Sequence, residues 1–78
     1  MKADIKIVIA KNIADLRLAN GMTQLELAER INYSDKAVSK WERAESMPDI
    51  AVLTEIADLF QVSLDDLVRL KKPIEKAK

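Results

Sequence analysis

Lys36 and Lys40 stand four residues apart, so on a helix they project from one face a single turn apart, with Asp35, Ser39 and Arg43 beside them. Groups arranged this way do hydrogen-bonding chemistry. Two ammonium groups one turn apart can reach guanine O6 and N7, and a carboxylate such as Asp35 can accept from a cytosine amino group. Ser39 can bond several bases and so discriminates little. Asp35 has a second reading of equal weight, in which it repels phosphate and simply complements the helix dipole. At about 100° per residue, Ala37, Val38 and Trp41 share one arc. Asp35, Lys36, Ser39, Lys40 and Arg43 fill the opposite arc, with Glu42 at the border. A helix from Asp35 to Arg43 divided in this way has one face to bury and one polar face suited to the major groove of DNA.

The elements that must position this helix are legible just upstream. Thr23 and Glu26 form a T-x-x-E capping box, in which each side chain satisfies a free backbone N–H of a helix start. Leu27, Ala28 and Ile31 follow on one side at helical spacing. Asn32 falls where the helix must stop and reverse, and Asn tolerates the left-handed conformation better than other non-glycine residues. Ser34 can then cap the next helix through its hydroxyl. Two short amphipathic helices around a tight turn match the helix-turn-helix motif.

At 78 residues the chain is one domain, near the lower limit for a self-sufficient core. Nearly half of it is apolar and a third charged, as in a compact helical protein. It contains neither Cys nor His, which removes disulfides, the usual zinc sites and the commonest catalytic bases and nucleophiles. Asp65, Asp66, Glu26 and Glu29 read as capping or solvated-face residues, so no catalytic residue, metal or cofactor is expected. No apolar run approaches a membrane span, and no signal-peptide pattern opens the chain, so a cytoplasmic protein, nucleoid-associated when DNA-bound, is expected. The net charge is zero. That argues mildly against DNA, since non-specific affinity comes from neutralising phosphates. The charge is segregated, however: +2 over residues 1–20, −1 over 21–46, −4 over 47–70 and +3 over 71–78. Acidity gathers in the C-terminal part, away from the polar helix face, which favours a specific binder of modest affinity.

Around the motif the sequence predicts a first helix over about Ile5 to Asn20. Ile5, Ile9, Ile13 and Leu16 form its core stripe, and Gly21 its C-terminal cap. A narrower apolar line through Ile7, Ala14 and Leu18 fits either packing against the last helix or contact with a second subunit. A fourth helix begins at Asp49 after Pro48 and buries Leu53, Ile56, Ala57 and Phe60. Ser63 opens a fifth, with Asp65 and Asp66 in its first turn. Leu64, Leu67, Val68 and Leu70 give that helix more apolar surface than a terminal helix needs. The tail KKPIEKAK shows no core pattern.

The chain resembles the Xre/Cro-type helix-turn-helix family of phage and bacterial repressors. The resemblance is carried by Leu16-Arg17, Gly21, Thr23-Gln24, Glu26-Leu27-Ala28, Ile31, Ser34, Val38-Ser39 and Trp41-Glu42-Arg43. It continues through Pro48-Asp49, Leu53, Ile56-Ala57, Phe60, Val62-Ser63 and Leu67. It extends over about residues 9 to 70 and implies an all-α, five-helix lambda-repressor-like domain in residues 1–70, with 71–78 as a basic tail or linker. It also implies sequence-specific binding of double-stranded DNA by a transcriptional regulator of repressor type. Such regulators usually act as two-fold dimers on a pseudo-palindromic operator, with Asp35, Lys36, Ser39 and Lys40 at base edges. Phosphate contacts would fall to Thr23, Gln24 and the adjacent backbone N–H groups, with Tyr33, Ser34 and Arg43 as further candidates. Tyr33 can instead pack over the turn. In the resembling family an Arg at the place of Arg17 pairs with the Glu of the recognition helix, here Glu42, although Arg17 could also touch phosphate. The terminal helix often contributes to dimer contacts there, which makes Val68, Leu70 and Leu18 the candidate homodimer surface. The chain departs from the family at Ala44, where Gly usually ends the recognition helix in a left-handed cap. Either the helix ends differently or Ala44 bears a positive-φ penalty. The alternative function is a protein-interaction module, such as the antitoxin of a toxin–antitoxin pair, whose main partner is another protein.

Overall fold

The computed structural model describes residues 4–69, so the expectations for Leu70 and the 71–78 tail lie outside the described residues. The chain folds into α1 (Ile5–Ala19), α2 (Gln24–Arg30), α3 (Asp35–Glu42), α4 (Ile50–Phe60) and α5 (Leu64–Val68). Each helix starts at a side-chain oxygen that accepts a backbone N–H of the first turn: Asp4, Thr23, Ser34, Asp49 and Ser63. Thr23 with Glu26 and Ser63 with Asp66 complete reciprocal capping boxes. Such caps contribute about 1 kcal/mol each, which matters for helices of five to eight residues that water alone does not sustain.

The ends of α1 to α4 are equally uniform. Gly21, Asn32, Ala44 and Gln61 all adopt left-handed backbone, with φ of 68°, 61°, 60° and 58°. At each end the next residue donates back five positions: Met22 to Arg17, Tyr33 to Ala28, Glu45 to Lys40 and Val62 to Ala57, at 2.8–3.0 Å. This pairing satisfies carbonyls that a helix end leaves open. Ala44 therefore does end α3 in a strained conformation, and the helix does not run on through it.

Each helix contributes a large side chain that is fully enclosed: Ile13, Leu27, Val38, Ile56 and Leu67. Around them pack Ile9, Ala28, Ile31, Trp41, Leu53 and Ala57, with Leu16 and Phe60 partly buried. Burying each aliphatic side chain is worth roughly 1.5–3 kcal/mol, so all five helices are tied into one core. Two expectations for α1 are corrected here. Ile5 stands half exposed in the first turn, so the buried stripe begins at Val8 and Ile9. Ile7 and Leu18 are more than half exposed, so their line does not pack against the last helix. What docks α5 onto α1 is Asn12, a buried polar residue on the inner face of α1. Its Nδ2 donates to the carbonyls of Leu67 at 2.9 Å and Arg69 at 3.0 Å. These carbonyls belong to the end of a five-residue helix, so Asn12 serves as its C-terminal cap from across the fold. Leu64 and Val68 lie partly buried against the same core, which uses much of the apolar surface that seemed in excess.

Candidate nucleic-acid interface

The turn between α2 and α3 is built from Ile31 to Ser34. Ile31 is buried, Asn32 takes the left-handed reversal, and the Ser34 hydroxyl accepts from Ala37 N at 3.1 Å to start α3. Tyr33 lies over the turn with its ring 5.4 Å from that of Trp41 at a 55° tilt, a favourable aromatic geometry. It remains nearly half exposed. Trp41 and Val38 are buried, and Ala37 is half-buried between them and the solvent. The apolar arc of α3 thus faces the core, and its polar arc faces outward.

The rotation of α3 is fixed by a network that crosses three helices. The Arg17 guanidinium of α1 grips Glu42 of α3 in a two-point fork, Nε to Oε2 at 2.7 Å and Nη2 to Oε1 at 2.9 Å. Its remaining nitrogen, Nη1, donates to the Met22 carbonyl at 2.8 Å. Gln24 of α2 donates from Nε2 to Glu42 Oε1 at 3.0 Å. Both charged side chains are screened from water, with 12% and 7% of their surface exposed. The hydrogen bond to Glu42 holds the Arg17 guanidinium above its ordinary pKa, against the opposing effect of burial. A fork of this kind constrains angle as well as distance. It leaves α3 little freedom to roll.

On the outer face Asp35, Lys36 and Lys40 are exposed, in the first and second turns of α3. Ser39 is half-buried. Its hydroxyl oxygen accepts from Arg43 Nη1, while the same guanidinium forks Glu45, Nε to Oε2 at 2.9 Å and Nη2 to Oε1 at 3.1 Å. The hydrogen bonds between Arg43 and Glu45 hold the Glu45 carboxyl below its ordinary value and the Arg43 guanidinium above its own. At the start of α2, Thr23 is engaged twice with Glu26. Its N–H donates to Oε1 at 2.8 Å and its hydroxyl oxygen accepts Glu26 N at 3.0 Å. Gln24 uses one amide hydrogen on Glu42, and the amide has a second.

The structure therefore brings Asp35, Lys36, Ser39, Lys40 and Arg43 onto one surface, with Tyr33 and Ser34 at the turn beside it and Thr23 and Gln24 at the start of α2. Arg17 and Glu42 lie behind it. Sequence reasoning missed Glu45, which stands in the segment after α3, and the tie between Gln24 and Glu42. The spacing Arg43-x-Glu45 was the available signal for the first. The second needs the relative placement of two helices.

This geometry has known counterparts. The helix-turn-helix family model HTH_3 matches residues 13–67, and the chain belongs to that family, a DNA-binding class of Xre-like transcriptional regulators. It is 34% identical over 58 residues to the HTH-type transcriptional activator BcrR of Enterococcus faecalis, covering 74% of this chain and 28% of that protein. It is 32% identical over 71 residues to the antitoxin PezA of Streptococcus pneumoniae, covering 87% of this chain and 45% of the relative. Among solved structures, the P22 c2 repressor bound to a synthetic operator superposes with a TM-score of 0.74 at 28% identity, over 78% of this chain and 92% of that one. The chain thus spans less than half the length of these two relatives and nearly the whole of the repressor structure.

Proposed function

We propose that this chain is a sequence-specific double-stranded-DNA-binding transcriptional regulator whose α3 enters the major groove. The observation that carries this reading is the outward row of Asp35, Lys36 and Lys40 on a helix whose inner face is locked by Arg17 and Glu42. Lys36 and Lys40 contact guanine edges, and Asp35 and Ser39 complete the base-reading set. Gln24, through its second amide hydrogen, Thr23 and Ser34, through their hydroxyls, and Tyr33 and Arg43 contact phosphate. These contacts position the helix without reading sequence. Arg17, bound on three nitrogens, is structural in this scheme, and the domain recognises DNA without catalysing a reaction.

A homodimer on a pseudo-palindrome fits the isolated reading head, which spans too few base pairs to specify a site alone. Leu18, exposed on α1, and Val68 on α5 are its candidate surface. The operator's position relative to a promoter then decides between repression and activation. Selection of bound duplexes from random DNA at low and physiological salt tests the reading. The expected result is an enriched palindrome with half-sites about 34 Å apart, one helical turn. Recovery of no motif at either salt refutes sequence-specific binding. The similarity to PezA supports a second reading, an antitoxin-like module whose partner protein covers the exposed Ile7 and Leu18 of α1. In that case substitution of both by Lys abolishes partner binding and leaves DNA selection unchanged.

A further inference from the structure

A serine hydroxyl at a DNA-reading position is ambiguous, because it carries one donor hydrogen and two acceptor lone pairs and can rotate to suit either kind of base edge. Ser39 is not in that free condition. Its oxygen accepts a hydrogen bond from Arg43 Nη1, one turn further along α3. Arg43 in turn is held on its other edge by the two oxygens of Glu45. Arg43 and Glu45 keep 54% and 52% of their side-chain surface exposed, so the arrangement sits at the surface where α3 meets its ligand. Thr54 on α4 makes a useful contrast. Its hydroxyl donates to the Ile50 and Ala51 carbonyls of its own helix, at 3.2 and 2.7 Å, and so has no hydrogen left to offer. Ser39 has the opposite bias: one of its two acceptor lone pairs is taken by a cation, which makes the oxygen a poorer acceptor, and the hydrogen is left to donate.

We propose that Glu45 and Arg43 are positioning residues that bias Ser39 toward donating its hydroxyl hydrogen to a base, so that it prefers an acceptor edge over the cytosine amino group. The inference rests on α3 being the DNA-reading helix. The acceptors available to it in the major groove are guanine O6 or N7, adenine N7 and thymine O4, whereas cytosine offers an amino donor. A charged donor on Ser39 Oγ strengthens the hydroxyl as a donor, because hydrogen bonds in a chain polarise one another in the same sense. Glu45 neutralises the guanidinium and fixes its plane. Arg43 then adds orientation near the bases at little gain in indiscriminate attraction for phosphate, in keeping with the chain's zero net charge.

The test is the duplex selection repeated with wild type, Ser39→Ala, Arg43→Lys, Glu45→Ala and the Ser39→Ala/Arg43→Lys pair, followed by affinity measurements on single-base operator variants. Lysine keeps the cation that phosphate attracts but cannot fork Glu45 and bond Ser39 from one rigid plane. In wild type, cytosine at one position is expected to lower affinity about fivefold, the worth of one hydrogen bond of about 1 kcal/mol. Ser39→Ala, Arg43→Lys and Glu45→Ala each flatten that one position and leave the others intact. Adding Arg43→Lys to Ser39→Ala changes that position no further. If Arg43→Lys and Glu45→Ala keep the full preference that Ser39→Ala loses, or if Ser39→Ala flattens no position, the proposal fails while DNA recognition by α3 stands. If wild type itself enriches no duplex, the DNA reading fails and this inference falls with it.

Discussion

Replacing Arg17 by Ala removes a guanidinium that makes three hydrogen bonds and leaves the Glu42 carboxylate, 7% exposed, with Gln24 as its remaining partner. A buried carboxylate stripped of its counter-charge costs about 3–5 kcal/mol. The loss of the bond to the Met22 carbonyl acts in the same direction. The partial exposure of the pair argues for the lower end, about 3 kcal/mol. A domain of this size has roughly 4–12 kcal/mol of stability in all, so the loss is a large share of it. Each kcal/mol moves the melting temperature of a domain of 60–100 residues by about 4–8 °C. The expected drop is therefore roughly 12–24 °C, read by circular dichroism at neutral pH. Lys11→Ala supplies the control, since Lys11 and Asp15 pair at 2.9 Å with more than half of each side chain exposed. Pairs of that kind contribute well under 1 kcal/mol. A fall of only a degree or two for Arg17→Ala, comparable with the control, refutes the argument that the fork is structural. Glu42→Gln should cost less than Arg17→Ala, because the amide oxygen still accepts a hydrogen bond from the guanidinium, which also keeps its bond to the Met22 carbonyl.

Ala44→Gly relieves a positive φ and should raise stability by about 1 kcal/mol; an unchanged or lowered melting temperature overturns the left-handed assignment. Asn12→Ala orphans the Leu67 and Arg69 carbonyls, and should cost about 1–3 kcal/mol with faster hydrogen exchange confined first to α5. Exchange that accelerates evenly through all five helices would show that α5 is not separately latched. Lys36→Ala should lower operator affinity by about 1–3 kcal/mol and relax preference at one base, while Gln24→Ala weakens all duplexes alike. A uniform loss from both substitutions removes Lys36 from the base-reading set.

Much of this fold can be read in the sequence, because its signals are local. Thr23, Ser34, Asp49 and Ser63 announce helix starts through hydroxyls and carboxylates that cap within three residues, and the apolar spacing that follows gives each helix its inner face. Gly21 and Asn32 announce left-handed ends by residue type. Gln61 adopts the same conformation with no such signal, since glutamine has no special tolerance for it and the surrounding core imposes it. Periodicity likewise cannot tell a covered stripe from an uncovered one, and so Ile7 and Leu18 look like core residues until the neighbouring helices are placed. Asn12 was invisible for the converse reason. A lone amide on an apolar face gives no pattern, and its partners are carbonyls 55 and 57 residues away. The reading surface was legible as a set of residue types. The way Glu45 holds Arg43 was not, because it lies in the irregular segment past the end of the helix.

The two ion pairs around α3 divide the work of recognition between them. Arg17 with Glu42 is enclosed and joins α1 to α3, so its energy goes into the angle at which the reading face is held. Arg43 with Glu45 is exposed and joins α3 to the segment just beyond it, so it adds little stability and acts on the orientation of one side chain, Ser39. A neutral protein cannot rely on long-range attraction to keep it on DNA, and the −4 charge over residues 47–70 repels a duplex approaching from that side. Affinity must then come from short-range hydrogen bonds made in one orientation, which demands a helix that does not roll. The enclosed fork supplies that rigidity, and on the proposed reading this is why a carboxylate sits at the back of a helix whose front faces an anion.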